Sequence, residues 1–312
     1  MTENYFTFTI GSNTGITIAH ENNDITKEAI QKEGSILFIK YLKQFLSLHQ
    51  DYDIAAIGIA IPGRYNPNFQ TIITDNLLWK NFNLKTIQEN LPYPVFFSNN
   101  VNCMAIFQRL LTDETNNENF IFFHFKRGMH CSYMYNGNIY GRNNNIIGEI
   151  GHTIVSLEGP LCTCGKRGCL QTYLGESYLL ANAVKIAQHF PNSILGAIYK
   201  EQPNLNLEHL LLAYDLGDTI VHTLLDNAMK YLAQSLFNLS ILIDSKKIFL
   251  HSPLLVNKRL AKNLQDNITI EPQLLQTQIS PLIEIIPYDI YTGANSAIAL
   301  AVGSYLLGQP RD

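Results

Sequence analysis

The chain has 312 residues, 46% of them apolar and 15% charged, with a formal net charge of −4. That composition buries a sizeable core and excludes a disordered chain, and the length predicts about two domains. The charge gives no footprint for nucleic acid or an anionic membrane, no apolar run is long enough to span a bilayer, and the N-terminus MTENYFTFTIG lacks the basic segment of a secretory leader.

Residues 5–10 (YFTFTI) and 15–19 (GITIA) are apolar and β-branched around Gly11-Ser12-Asn13-Thr14, which predicts a tight hairpin. Residues 26–48 carry Ile30, Leu37, Phe38, Leu42, Phe45 and Leu46 at helical spacing. Ile54 to Ile61 is a continuous apolar run stopped by Pro62-Gly63, the pattern of a strand buried on both faces. Residues 94–98 repeat that pattern, and 102–112 read as helix. Residues 121–125 and 131–135 read as paired strands, followed by the turn signal Asn136-Gly137. Helices are predicted over 178–186 and 219–241, short strands over 247–250 and 283–286, and a final Ala-rich helix from Gly293 to Leu307. Strands before helices, twice over, predict two α/β lobes with a cleft between them. Residues 1–115 form the first and 116–312 the second, with the last helix packing back on the first lobe.

Between these elements stands Gly148-Glu149-Ile150-Gly151-His152, then Cys162-Thr163-Cys164-Gly165-Lys166-Arg167-Gly168-Cys169. Three of the five cysteines fall within eight residues, ten residues after a histidine. Thiolates at this spacing plus one imidazole supply the four ligands that tetrahedral Zn²⁺ takes. Gly165 and Gly168 let the backbone fold back so that the sulfurs of Cys162, Cys164 and Cys169 face one point with His152. With every position filled by protein, the zinc is expected to be structural. Cys103 and Cys131 read as buried free thiols, and this cysteine usage suits a reducing cytosol.

The same stretch resembles the signature of the ROK family, which contains bacterial sugar kinases and sugar-responsive transcriptional repressors. Asp75-Asn76-Leu77-Leu78-Trp79, Asn83-Leu84, Pro94-Val95, Asn99-Asn100-Val101-Asn102 and Ile59-Ala60-Ile61-Pro62-Gly63 follow the family pattern too, so the resemblance spans essentially the whole chain. It implies a two-lobed, actin-like and ribonuclease-H-like sugar-kinase fold with a zinc-pinned loop, and a homodimer. It also implies a sugar pocket formed by Gly63, Asn76, Asn99, Asn100, Glu149, His152 and Gln171. Amide and carboxylate groups of this kind bracket sugar hydroxyls, which donate and accept at once. Gln171 stands where the family usually has glutamate.

The phosphate side departs from the pattern. The aspartate that serves the family as base is Asn100 here, and an amide does not take a proton at neutral pH. Losing a positioned base costs roughly 10²–10⁴-fold. The family's D-x-G-G-T turn reads Thr9-Ile10-Gly11-Ser12-Asn13, its second glycine-rich turn reads Phe125-Lys126-Arg127-Gly128-Met129, and the G-G of its adenosine pocket is His251-Ser252. With the acid and one glycine gone from the first turn and most glycines replaced in the second, the N–H cradle that holds phosphates is eroded. Binding of ATP and Mg²⁺ is therefore not expected. The expected function is a sugar- or sugar-phosphate-binding regulatory protein without kinase activity; the alternative is an ATP-dependent kinase of a hexose or N-acetylhexosamine.

Ser252-Pro253-Leu254, Asn102-Cys103 and Glu149-Ile150-Gly151-His152-Thr153 are similar to the N-acetylglucosamine repressor branch. Those repressors carry a helix-turn-helix before the sugar domain, whereas this chain reaches its first strand within five residues. Its 22 Lys and Arg lie scattered among 26 acids, so direct DNA binding is not expected, and action through a protein partner stays open. His124, His130 and His251 match no ligand spacing and read as ordinary histidines. The pairs Lys126-Arg127 and Lys166-Arg167 read as solvated surface or as a phosphate contact.

Overall fold

Phe6, Phe8 and Ile10 alternate with polar residues, and this period of two makes β1 (Tyr5–Gly11), whose three apolar side chains are all buried. The computed structural model describes residues 1–66, 68–74, 76–112, 119–141, 144, 146–268 and 282–308. They form two units, one of Met1–Glu118, Met134–Asn145 and Asp289–Asp312, the other of Asn119–Tyr133 and Ile146–Tyr288. The boundary expected between residues 115 and 116 lies outside the described residues, as does Asp75.

In the first unit β1 pairs antiparallel with β2 (Thr17–Asp24). The helix α1 (Lys27–Ser47) starts at Thr26, whose hydroxyl accepts from the Ala29 N–H and satisfies one of the free donors of the first turn. Its Ile30, Phe38, Leu42 and Phe45 join Phe6 and Phe8 in one core, with the Phe6 and Phe38 rings edge to face at 5.3 Å. Next come β3 (Ile57–Ile61), the small hairpin of β4 (Arg64–Asn66) and β5 (Thr71–Ile73), and α2 (Leu84–Glu89). The buried β6 (Val95–Asn99) runs parallel to β3 and leads without a break into α3 (Asn100–Leu110).

In the second unit β7 (Phe120–Phe125) is FIFFHF, an apolar run too continuous for a strand with a wet face. β8 (Met129–Tyr135) lies beside it, and β9 (Asn138–Ile139), which belongs to the first unit with its partners Met134 and Tyr135, ends the strand order. After α4 (Gln171–Leu174), α5 (Glu176–His189), α6 (Ile194–Glu201), α7 (Leu207–Asp215) and α8 (Thr219–Leu242), the chain returns as β10 (Lys247–His251), parallel to β7. α9 (Lys258–Ile268) precedes β11 (Leu282–Ile286), and the strand order is β11-β10-β7-β8-β9. Ile121, Phe123, Leu179, Leu225, Met229 and Ile248 lie in the common core of sheet and helices. Asp218 ties the helices together: its Oδ1 accepts from the Ile220 and Val221 N–H groups and its Oδ2 from the Leu195 N–H, 2.9 Å away.

The final helix, α10 (Thr292–Ala301), belongs to the first unit. It packs so closely on β1 and β3 that a Cβ on Gly11 would strike the Ile298 side chain and one on Gly58 the Ala297 carbonyl. No helix among the described residues is long and apolar enough to cross a membrane.

Candidate functional site

The cysteine loop leaves a short 3₁₀ turn, Ile150–His152, and doubles back through bridges between Ile154 and Cys169 and between Leu161 and Arg167. Gly168, at φ +67°, lies so close to the Ser156 carbonyl that no Cβ fits there. That folding gathers His152, Cys162, Cys164 and Cys169, whose ligand atoms all lie within 4.8 Å of one another. Nδ1 of His152 is 3.6 Å from Sγ of Cys162, and Sγ of Cys164 is 3.6 Å from Sγ of Cys169. A tetrahedral ion bonded to sulfur at ~2.3 Å sets its sulfurs about 3.8 Å apart, whereas a disulfide holds them at ~2.05 Å, so the spacing fits a shared ion. The thiols alone sit badly together. Burial raises both Cys162 and Cys169, but hydrogen bonds from Cys164 draw Cys162 down to about 6, while burial and the neighbouring sulfurs push Cys169 up to about 12. A cation removes that conflict by taking all three as thiolates. The donor set fits a metal ion.

Three residues expected at a sugar belong to this second unit. Glu149 follows Gly148, which at φ +91° sits against the His130 ring and the Cys131 carbonyl, leaving no room for a side chain. Nδ1 of His130 then lies 3.5 Å from Oε1 of Glu149. With Nδ1 of His152 turned to Cys162, its Nε2 is left for other partners. Gln171, the first residue of α4, points Nε2 at Cys162 Sγ, 3.2 Å away.

The other four belong to the first unit. Asn99 uses both ends of its amide internally: Nδ2 donates to the Gly63 carbonyl at 2.7 Å, and Oδ1 accepts from the Val101 and Asn102 N–H groups at the start of α3. Gly63, at φ +134°, has the Ile72 side chain and the Ile73 carbonyl where a Cβ would go. Asn76 caps the turn Leu77–Trp79 through Oδ1 and donates through Nδ2 to Glu3 at 2.8 Å. Asn100 is half-buried in the first turn of α3.

The two stretches that resemble phosphate turns, and the end of β10, differ in their surroundings. Ser12 staples its own turn, with Oγ 2.8 Å from Thr14 Oγ1 and accepting from the Ile16 N–H at 3.1 Å. The Thr9 hydroxyl is buried without a partner beside a mainly apolar cavity of about 370 Å³ in the first unit. In the second unit, His124 and His251 stand opposite each other in the parallel register of β7 and β10, their Nδ1 atoms 2.9 Å apart. The Tyr288 ring stacks on His251 at 5.1 Å, and Lys126 Nζ donates to the Tyr288 hydroxyl at 3.1 Å. Burial first, and His251 second, lower the His124 pKa to about 3, so this imidazole is neutral. These histidines, and His130, match no spacing rule, because register and packing bring their partners in from distant parts of the chain.

The family model described as "ROK family" matches residues 4–298. A xylose repressor of Bacillus spizizenii is 33% identical over 130 residues, 41% of this chain and 34% of that protein. A glucokinase of Halalkalibacterium halodurans is 27% identical over 199 residues, 63% of this chain and 60% of that enzyme. The chain thus spans less than two thirds of either relative's length. The crystal structure of a ROK family transcriptional regulator, a homologue of the Escherichia coli MLC protein, has a TM-score of 0.79 at 20% identity, covering 98% of this chain and 78% of that one. This likeness fixes the fold as the actin-like, ribonuclease-H-like α/β architecture of the sugar kinases. With the family match running through both units and that fold beneath it, the chain belongs to the ROK family.

Proposed function

We propose that this chain binds a sugar or sugar phosphate and senses it in a regulatory role, without phosphorylating it. The observation that carries this reading is the filled strand edge in the second unit. Parallel α/β sheets bind ligands outside the carboxyl ends of their strands, and a phosphate turn there needs small residues with open N–H groups. At the ends of β7 and β10, two imidazoles lie 2.9 Å apart, with Tyr288 stacked on His251 and Lys126 bonded to the Tyr288 hydroxyl. Asn100, where the family pattern has a base, adds a second obstacle to phosphoryl transfer.

The sugar side keeps its chemistry. Glu149 offers a carboxylate, Asn100 an amide, His152 a ring nitrogen and Gln171 its Oε1, while Asn99 and Asn76 brace the Gly63 loop and the Leu77–Trp79 turn. A structural Zn²⁺ on His152, Cys162, Cys164 and Cys169 would hold the loop between Glu149 and Gln171. Kinship to both a xylose repressor and a glucokinase supports a sugar as the common ligand.

The glucokinase match also supports a second reading, an active sugar kinase. One pair of measurements separates them. A thermal-shift screen with pentoses, hexoses, N-acetylhexosamines and their phosphates should find a stabilising ligand, since ligand at about 100 times its Kd adds about 2.7 kcal/mol. ATP should neither stabilise the protein nor be consumed with any of these sugars. Phosphorylation above trace rates would overturn the proposal, as would a panel in which no sugar raises the melting temperature.

A further inference from the structure

Gln171 starts α4 two residues beyond Cys169, and its side chain lies on the metal cluster. Nε2 is 3.2 Å from Cys162 Sγ and 3.5 Å from Thr163 Oγ1. The contact is held from several sides. A Cβ on Gly151 would sit 3.3 Å from both Cβ and Oε1 of Gln171, so the turn that carries His152 packs directly on this side chain. The Thr163 N–H donates to the Tyr178 hydroxyl at 3.0 Å, and the Gly175 N–H donates to the Gln171 carbonyl at 2.8 Å. The Gln171 side chain and the backbone at both ends of the contact, Thr163 and Gln171, are therefore held by neighbours.

We propose that Gln171 is a positioning residue of the metal centre: its amide N–H holds the Cys162 sulfur toward the ion and draws off part of the thiolate charge. A divalent ion with three thiolates and a neutral imidazole is net negative, and a sulfur in such a cluster remains a hydrogen-bond acceptor. An amide N–H meets that acceptor without adding charge. A carboxylate in the same place would set oxygen against sulfur, two acceptors with no proton between them, and would add to the negative charge. The glutamine thus acts differently from the glutamate of the pattern the chain resembles. Its Nε2 is committed to the metal side, and only Oε1 remains for a ligand.

The test uses the full chain loaded with Co²⁺ in place of zinc, without any sugar, so that failure of the sugar reading leaves it untouched. Gln171→Met keeps the length and removes the N–H; Gln171→Glu keeps the shape and reverses the polarity. The N–H lowers the energy of the sulfur lone pair, so its loss should move the thiolate-to-cobalt charge-transfer band to longer wavelength in both variants. Metal transfer to a coloured chelator should become about 10- to 100-fold faster, with Gln171→Glu the faster of the two. Should Gln171→Glu not fold, Gln171→Met decides alone. Unchanged release overturns the proposal. So does faster release with an unmoved band, which is what the loss of a mere packing contact would give.

Discussion

Nδ1 of His130 lies 3.5 Å from Oε1 of Glu149, with 15% of the one side chain and 37% of the other exposed. The imidazole, carried on β8, faces this carboxylate. Replacing His130 by Phe keeps a ring and removes the donor, so sugar affinity measured by calorimetry should fall about tenfold, the equivalent of one hydrogen bond at ~1.4 kcal/mol. Affinity equal to that of the unmodified protein would show that Glu149 needs no such support.

The pairing of His124 with the buried His251 makes stability depend on pH. The folded chain holds His124 at about 3 against 6.5 in the open chain, burial being the main cause and His251 the next. A depressed pKa means that the unfolded chain takes the proton first. Stability is whole above about pH 6.5 and falls as pH drops toward about 3, by up to ~1.4 kcal/mol per pH unit. Urea midpoints between about pH 7 and about pH 4.5 should decline less steeply in His124→Asn, whose amide stands in for Nδ1 without titrating in this range. Parallel slopes would assign the acid sensitivity elsewhere.

Metal removal should loosen the chain between Ile150 and Gln171. A structural site gives its binding energy to folding, so a chelator, or Cys162→Ser with Cys164→Ser, should remove about 3 kcal/mol or more and lower the melting temperature by about 10 °C. The chelator should have no further effect on the double variant. Identical melting with and without chelator in the unmodified protein would argue against a bound structural ion.

Asp218 is 3% exposed and accepts three backbone N–H bonds, two inside α8 and one from the start of α6. Alanine there leaves those donors buried and unmet. The expected cost in denaturant unfolding is about 2–4 kcal/mol. A loss under about 0.5 kcal/mol would mean that water replaces the carboxylate.

Asn100→Asp restores an acid at the position of the family's base. On its own it should leave ATP-dependent turnover at background, because a base adds its roughly 10²–10⁴-fold only where the phosphates are held. Coupled assays with the sugar that stabilises the protein would read this directly. Substantial activity in the single variant would show that the phosphate side is intact.

The candidate metal ligands were legible in the sequence because they lie within eighteen residues, and their spacing reports on a loop the local chain itself folds. The strands around Ile59, Phe97 and Phe122 were legible for a similar reason, since uninterrupted apolar runs fit only the middle of a sheet. The asparagines were not. Asn76 and Asn99 match a sugar motif, and tertiary structure spends their amides on Leu78 and Glu3, and on the start of α3 and the Gly63 carbonyl. An Asn side chain takes whatever donor and acceptor the fold sets beside it, and a motif does not name that partner.

The sequence by itself determined the family, the alternation that builds β1 and the Cys and His group that could hold a metal ion. Each is a property of residues near one another in the chain, where spacing and backbone freedom act directly. Only the tertiary structure decided that His124 faces His251 and that His130 lies against Glu149. The histidine pair joins residues 127 positions apart through the register of two parallel strands. Register is set by the burial of both sheet faces at once, and no single stretch of sequence carries it.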